Sequence, residues 1–318
     1  MNVFILAAGL GTRLRPLTLK YPKPCVPFLN VPLGLYPFRF LNSLNVTQLT
    51  VNTHYLPEQV QNLYTTQPYY TGPVKFSHEE GIILGSAGGL KKASQYFDYS
   101  DDENILMLNS DEIFFDVESD FLAKAYNQHV SAKSLATLVV MKHPEAGKKF
   151  GAIWCEGNTV KNIGKTASGS KLQPYHYIGL IFLNKRVLSL IPDDKETNIF
   201  YDVLNFHLAT GAVCTYEINC NWFETGNPAD YLQATAAVLK NISAETLGFI
   251  NAYDCSDFSK DLSRVFLISK SLKIDGLFNP GFTVVSKSTN PELLKNLGLF
   301  HNSILFDNEN VNVDYFKA

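Results

Sequence analysis

The amino-acid sequence predicts an α/β fold: a mostly parallel central sheet flanked by helices, with a small β-rich C-terminal appendage. Three observations carry that expectation. From Val3 to about Lys240, short β-rich runs alternate with amphipathic helical stretches, the pattern of strands joined by helical crossovers. The glycine loop Gly9-Leu10-Gly11 follows one apolar run and Asp111 comes shortly after another, Ile105 to Leu108, so both fall at carboxyl ends of strands, where open α/β sheets bind ligands. After residue 240 the texture changes to short alternating runs split by Gly, Asn and Pro. The division is a domain at 1–240 and an appendage at 241–318.

In chain order the expected strands are VFILA (3–7), LTVNT (49–53), VKFS (74–77), NILMLN (104–109), ATLVVM (136–141), HYIGLIFL (176–183) and VCTYEI (213–218). Helical stretches fall near 35–44, 57–66, 87–97, 119–129, 198–210 and 228–240. Pro32 and Pro57 stand near helix starts, where a missing N–H costs nothing. In the tail, RVFLISKSLKI, GFTVVSK and NSILFDNENVNV alternate as strands do. Gly-Leu-Phe-Asn-Pro-Gly and Asn-Ser-Ile-Leu-Phe-Asp suggest a stunted left-handed β-helix, although the hexapeptide period is not sustained.

Composition narrows the function. A chain of 318 residues with 46% hydrophobic and 18% charged residues buries a substantial core. A net charge of -3 exerts no pull toward nucleic acid or acidic membrane surfaces. The five cysteines (Cys25, Cys155, Cys214, Cys220 and Cys255) include no CxxC pair, which argues against a disulfide framework and a structural zinc site and suits a reducing cytoplasm. The start MNVFILAAG has no basic segment and too short an apolar run for a signal peptide, and the run around Leu135 to Met141 is of strand length. The expectation is a cytoplasmic protein with no nucleic-acid or membrane partner, and a homo-oligomer is compatible with it.

The glycine loop decides the ligand class. A dinucleotide fingerprint needs a third small residue three positions after the second glycine and an acid about 20 residues on. Leu14 stands at the first of these, and no Asp or Glu precedes Glu58. Gly11-Thr12-Arg13 does not continue into the Gly-Lys-Ser/Thr of a P-loop either. What remains is a loop whose backbone N–H groups can approach a polyphosphate, backed by Arg13, Arg15, Lys20 and Lys23 on a Pro-studded segment. A triphosphate fits better than a dinucleotide.

LAAGLGTRLRPLT, followed closely by PKPCVPFLNVPL, resembles the signature of the sugar-1-phosphate nucleotidyltransferases, or NDP-sugar pyrophosphorylases. VNTHYLPEQV, HEEGIILGSAGGLKKA, LMLNSDEIF, KKFGAIW, HYIGLIFLNKRVLSLIP and NWFETGNPADYLQA follow in the family's order, so the resemblance covers residues 1 to about 240. It implies a Rossmann-like, GT-A-like fold. It also implies a Mg²⁺-dependent reaction in which a sugar-1-phosphate oxygen attacks the α-phosphorus of an NTP and expels pyrophosphate. The product would be an NDP-sugar for cell-envelope glycans. GTP with mannose- or heptose-1-phosphate is the first expectation and UTP the next. The competing reading is a catalytically quiet NDP-sugar-binding or regulatory subunit.

The resemblance also implies the roles. Arg13 and Lys23 would hold the phosphates, with Asp111 and Glu224 as metal ligands. Leu6, Ala7, Ala8, Gly9, Gly11, Thr12, Glu80, Gly85 and Ser86 would line the nucleotide site, and Gly151, Lys165 and Gly179 the sugar-phosphate site. Two positions depart from the family pattern. Glu224 stands where the family has Asp, which displaces the carboxylate by one methylene, and Gly164 stands where the family has a sugar-binding Glu. Arg15 is expected to be solvated.

Overall fold

The computed structural model describes residues 1–167 and 171–254, together with the strands at 257–261, 264–268, 281–285, 303–306 and 309–311. Nine strands form the central sheet: β1 (Asn2–Leu6), β2 (Gln48–Thr53), β3 (Val74–His78), β4 (Asn104–Asn109), β5 (Ala136–Met141), β6 (Ala152–Glu156), β7 (Thr159–Gly164), β8 (Gln173–Asn184) and β9 (Val213–Glu217). The helices are α1 (Leu35–Phe38), α2 (Pro57–Thr66), α3 (Gly85–Ala93), α4 (Phe121–Ser131), α5 (Pro228–Lys240) and α6 (Ala244–Asp254).

Strand order across the sheet is β3-β2-β1-β4-β8-β5-β9-β7-β6, and the start of β8 also pairs with β6. Pairing is parallel from β3 to β4, as expected, with β1 in register with both β2 and β4. The other half is mixed: β8 runs antiparallel to both β4 and β5, while β9 is parallel to β5. The cause is local. Between β5 and β8 the chain makes the β6–β7 hairpin instead of a helical crossover, so β8 returns against its neighbours. That hairpin was not among the expected strands.

Alternate side chains of the strands enter opposite cores. Val3, Ile5, Leu106, Leu108, Leu180 and Phe182 pack with α2, α4 and α5 on one face. Phe4, Ile105, Met107, Ile181 and Leu183 pack with α3 and the segment 185–210 on the other. Both faces are covered, which is why these strands read as continuous apolar runs rather than alternating ones.

The register of β8 against β5 slips between Tyr177 and Ile181, and Gly179 sits inside that bulge at φ +81°. In place of the expected helix over 198–210, the chain forms a π-helical turn (Ile199–Val203) followed by a 3₁₀ segment (Leu204–Thr210).

Helix α6 lies inside the segment expected to be β-rich. It is docked by Phe249, whose ring meets Tyr36 at 5.2 Å and Tyr69 at 5.7 Å and lies 4.6 Å from the Arg39 guanidinium carbon. The five tail strands form a separate sheet in chain order, with parallel pairing among the three inner ones. Val284 and Ile304 are buried within the large core. The Gly-Leu-Phe-Asn-Pro-Gly turn of the suggested β-helix lies outside the described residues apart from its last glycine. Among the described residues no helix is long and apolar enough to cross a membrane.

Candidate active site

The carboxyl ends of β2, β1 and β4 open into a cavity of about 400 Å³. Its walls hold most of the nucleotide-site residues expected from the sequence: Leu6, Ala7, Ala8, Gly9, Gly11, Thr12, Arg13, Gly85 and Ser86, joined by Lys23 and Asp111. Residues more than a hundred positions apart converge because β1 pairs directly with β4, Leu6 opposite Asn109.

The glycine loop owes its shape to local contacts. Gly11 adopts φ +61°, and a Cβ there would come within 2.9 Å of the Thr18 methyl, so only glycine sits there without strain. Thr18 donates its hydroxyl hydrogen to the Gly11 carbonyl at 2.7 Å, and Leu14 N–H closes the following turn on the same oxygen. A Cβ on Gly9 would meet nothing within 4 Å, so the smallness of Gly9 serves the cavity and not the packing. Arg13 extends from the next turn and is exposed, and Arg15 is exposed outside the cavity, as expected.

Lys23 stands in a 3₁₀ turn between Pro22 and Pro24, and its Nζ contacts Asp111 Oδ2 at 2.5 Å. The pair is only partly exposed, with side chains 14% and 30% accessible, and it faces the cavity. An ammonium held there can neutralise phosphate oxygens, and a carboxylate beside it offers the hard oxygen donor that Mg²⁺ prefers. Among the described residues, no group of three or more His, Cys, Asp or Glu side chains could hold a metal ion. That donor set suits a cation bound by one or two carboxylates whose other ligands are substrate phosphates and water.

Glu224 is placed differently. Its Oε1 accepts the Gly226 N–H at 2.6 Å, and its side chain lines a second cavity of about 220 Å³ with His143, Lys149, Phe150, Trp222 and Asp230. Gly226 separates Glu224 from Arg13: a Cβ there would press on Glu224 Oε1 and come within 3.2 Å of both terminal Arg13 nitrogens.

The three positions expected around the sugar phosphate line neither of these cavities. Gly151 and Lys165 are exposed. The space a Cβ would need at Gly179 is occupied by Glu112, a residue the sequence did not single out. Glu112 accepts from Asn109 Nδ2 at 3.0 Å and from Trp222 Nε1 at 2.8 Å. Burial, with Asp111 adding to it, pushes its carboxyl up to about 7, against the pull of those two donors and Lys23.

Nearby, His176 lies 4.2 Å from the Trp222 ring, and burial then His143 hold it down at about 4. The loop expected to recognise the base also differs in detail. Glu80 is exposed, whereas the preceding Glu79 is buried. Ser86 Oγ accepts the Ile199 N–H at 2.9 Å, and the Thr197 carbonyl takes the Ala87 and Gly88 amides. Sequence reading also passed over Asn52. The available signal was a polar residue closing the apolar LTV run beside β1.

A model of the nucleotidyl transferase family matches residues 2–241. The mannose-1-phosphate guanyltransferase of Debaryomyces hansenii is 32% identical over 253 residues, covering 76% of this chain and 66% of that protein. The UTP--glucose-1-phosphate uridylyltransferase of Synechocystis sp. is 27% identical over 252 residues, covering 75% and 63%. This chain therefore matches just under two thirds of the length of those relatives. Among solved structures, UDP-glucose pyrophosphorylase from Acinetobacter baumanii aligns with a TM-score of 0.63 at 17% identity, over 79% of this chain and 97% of that one. HddC from Yersinia pseudotuberculosis complexed with GMP-PN aligns at 0.58 and 22%, over 74% and 97%. At those identities the structures speak for the fold alone, and they agree with the Rossmann-like, GT-A-like expectation. The family match spans most of the chain and contains the whole wall of the cavity, so this chain belongs to the nucleotidyl transferase family.

Proposed function

We propose that the protein is a sugar-1-phosphate nucleotidyltransferase, with residues 1–240 as the transferring unit and 241–318 as an appendage. The observation that carries this reading is the single cavity at the ends of β1, β2 and β4, where the glycine loop, Arg13, Lys23 and Asp111 meet. A sugar-1-phosphate oxygen attacks the α-phosphorus of the NTP. The bond from that phosphorus to the bridging oxygen breaks, and pyrophosphate leaves. No protein nucleophile is needed, and the protein contributes alignment and charge stabilisation.

Arg13 and Lys23 take up the negative charge of the triphosphate and of the departing pyrophosphate. Asp111 would hold a Mg²⁺ ion, with Glu224 as the second carboxylate once released from the Gly226 amide, and the bound ion would neutralise phosphate oxygens. Lys165 is proposed to meet the sugar phosphate, Gly151 and Gly179 to border the sugar, and Glu80 the base. GTP with mannose- or heptose-1-phosphate is the first pairing to test, supported by the 32% identity to the Debaryomyces guanyltransferase, and UTP is the second. A cytoplasmic location accords with a reaction on soluble nucleotides.

Pyrophosphate release with GTP, UTP, ATP, CTP and dTTP against a panel of sugar 1-phosphates tests the reading. Turnover with at least one pair is expected. A second reading has one observation in its favour: Glu224 is engaged by the Gly226 amide rather than lining the cavity that Asp111 enters. On that reading the protein binds an NDP-sugar without making it. Tight NDP-sugar binding with no turnover for any pair would establish the second reading and overturn the first.

A further inference from the structure

Two buried polar side chains connect opposite walls of the nucleotide cavity. Asn52, at the carboxyl end of β2, is 2% exposed, and Glu79, just past β3, is 1% exposed. Asn52 Oδ1 accepts two amides of the phosphate loop, Ala7 N–H at 2.6 Å and Ala8 N–H at 3.2 Å. Asn52 Nδ2 donates to Glu79 Oε1 at 2.7 Å. Glu79 Oε2 in turn accepts the Leu84 amide at 2.7 Å, immediately before Gly85 and Ser86 on the other wall. The backbone of Glu79 is pinned as well, by its N–H on the Thr53 carbonyl and by the His54 ring on its own carbonyl.

We propose that Asn52 and Glu79 are positioning residues that hold the phosphate loop and the Leu84–Ser86 wall at one fixed separation, so that a nucleoside triphosphate is gripped at both ends as a single rigid ligand. The proposal rests on the nucleotide-transfer reading of the cavity. Its physical basis is an unbroken chain of four hydrogen bonds between groups that would otherwise be buried donors and acceptors. Each carboxylate oxygen of Glu79 has its own donor, and each end of the Asn52 amide has its own partner, so neither residue tolerates a simple exchange. The fold makes room for the link at Gly89 of α3, where a Cβ would lie 2.7 Å from Glu79 Oε1 and 2.9 Å from Asn52 Nδ2.

The donor count predicts an unusual mutational pattern. Glu79→Gln has one oxygen for two donors, so one contact is lost and an amide NH₂ faces another donor. Asn52→Asp places two carboxylates together. The reciprocal double variant restores every bond, because the new aspartate accepts Ala7, Ala8 and the new glutamine NH₂, while the glutamine oxygen accepts Leu84 N–H.

The test is titration calorimetry of wild type, both single variants, the double variant and Gly89→Ala. The probes are inorganic tripolyphosphate and whichever of the five NTPs binds the wild type most tightly. Each single variant and Gly89→Ala should lose roughly tenfold in NTP affinity, the factor that corresponds to one hydrogen bond. Glu79→Gln should bind tripolyphosphate within about twofold of wild type, since that probe touches the phosphate loop alone. The double variant should recover NTP affinity to within about threefold. In turnover the NTP KM should follow these affinities, with the KM for sugar 1-phosphate unmoved. NTP affinity of Glu79→Gln within twofold of wild type overturns the proposal. So does a double variant at least as weak as the weaker single one. A wild type that binds an NTP but transfers nothing overturns only the transfer reading.

Discussion

Gly226 is the residue on which the two carboxylate questions meet. Its Cα faces both the Glu224 carboxylate and the Arg13 guanidinium, and it binds the first through its amide. A methyl group there must displace one of them. Gly226→Ala is therefore expected to lower kcat/KM by ~10-fold or more, with the melting temperature within about 2 °C of wild type. An unchanged kcat/KM would show that the Arg13 position is not critical. The Lys23–Asp111 pair gives a second residue-scale expectation. Asp111→Asn should cut kcat by ~10²–10³-fold, the usual cost of removing one oriented electrostatic group, while the far-UV spectrum stays native. Near-normal turnover in that variant would refute the assignment of Asp111 as the ion's ligand. Arg13, Lys23 and Asp111 could be named from the sequence because each stands in a motif whose neighbours fix its context. Glu112, Asn52 and Glu79 were not singled out, and each takes at least one decisive partner from far along the chain: Trp222 for Glu112, Ala7 and Ala8 for Asn52, and Asn52 for Glu79.

At the scale of elements, α5 shows how much of a local structure is written locally. Asn227 precedes Pro228, and the Asn227 side chain accepts Asp230 N–H at 3.0 Å, the pattern of an N-cap followed by Pro at the first helical position. The helix runs Pro228–Lys240, the bounds read from sequence. Because the cap directly follows Gly226, it also anchors the segment that carries Glu224. Asn227→Ala should cost ~1 kcal/mol, seen as a fall of about 2–4 °C in the thermal midpoint. A midpoint unmoved by the substitution would mean that packing of Tyr231 and Leu232 alone fixes this helix start. Strands such as NILMLN and ATLVVM were equally legible, being long apolar runs. The β6–β7 hairpin was not, because AIWCE and TVKNIG each mix apolar and polar residues and become strands by pairing with one another. Helix α6 was missed for a related reason: its apolar residues are spread around its axis, and aromatic contacts with Tyr36 and Tyr69 hold it in place.

For the whole molecule, buried histidines tie stability to pH. His129 Nε2 lies 3.1 Å from the Asn104 amide oxygen and its Nδ1 lies 2.9 Å from the Thr137 hydroxyl. Asn104 Oδ1 can only accept, so Nε2 carries the proton and Nδ1 accepts from Thr137 in the neutral ring. Burial holds His129 down at about 4, with Asp102 opposing and Arg186 adding to the shift. The folded value lies below the unfolded one near 6.5, so on acidification the unfolded chain takes up this proton before the folded chain does. The stability is fully present above about pH 6.5 and is lost progressively on acidification toward pH 4, by ~3 kcal/mol at the limit. His176, held down to about 4 mainly by burial, acts in the same window. Urea unfolding at a series of pH values should show this loss, and His129→Gln should flatten part of it. An equally steep profile in the variant would assign the effect elsewhere.

By itself the sequence determined the α/β class, most of the strands and helices through Lys240, and a glycine loop that lacks the marks of a dinucleotide site. Those features rest on short-range physics: apolar periodicity, capping residues, glycine's access to positive φ, and the absence of any acid before Glu58. Only the tertiary structure decided that Lys23 meets Asp111, that Glu224 turns to the Gly226 amide, and that Asn52 and Glu79 bridge the cavity's walls. The reason is strand order. Setting β1 between β2 and β4 brings residues 8, 52, 79 and 111 to one end of the sheet, and that adjacency depends on which strands pair rather than on any residue's near neighbours in the chain.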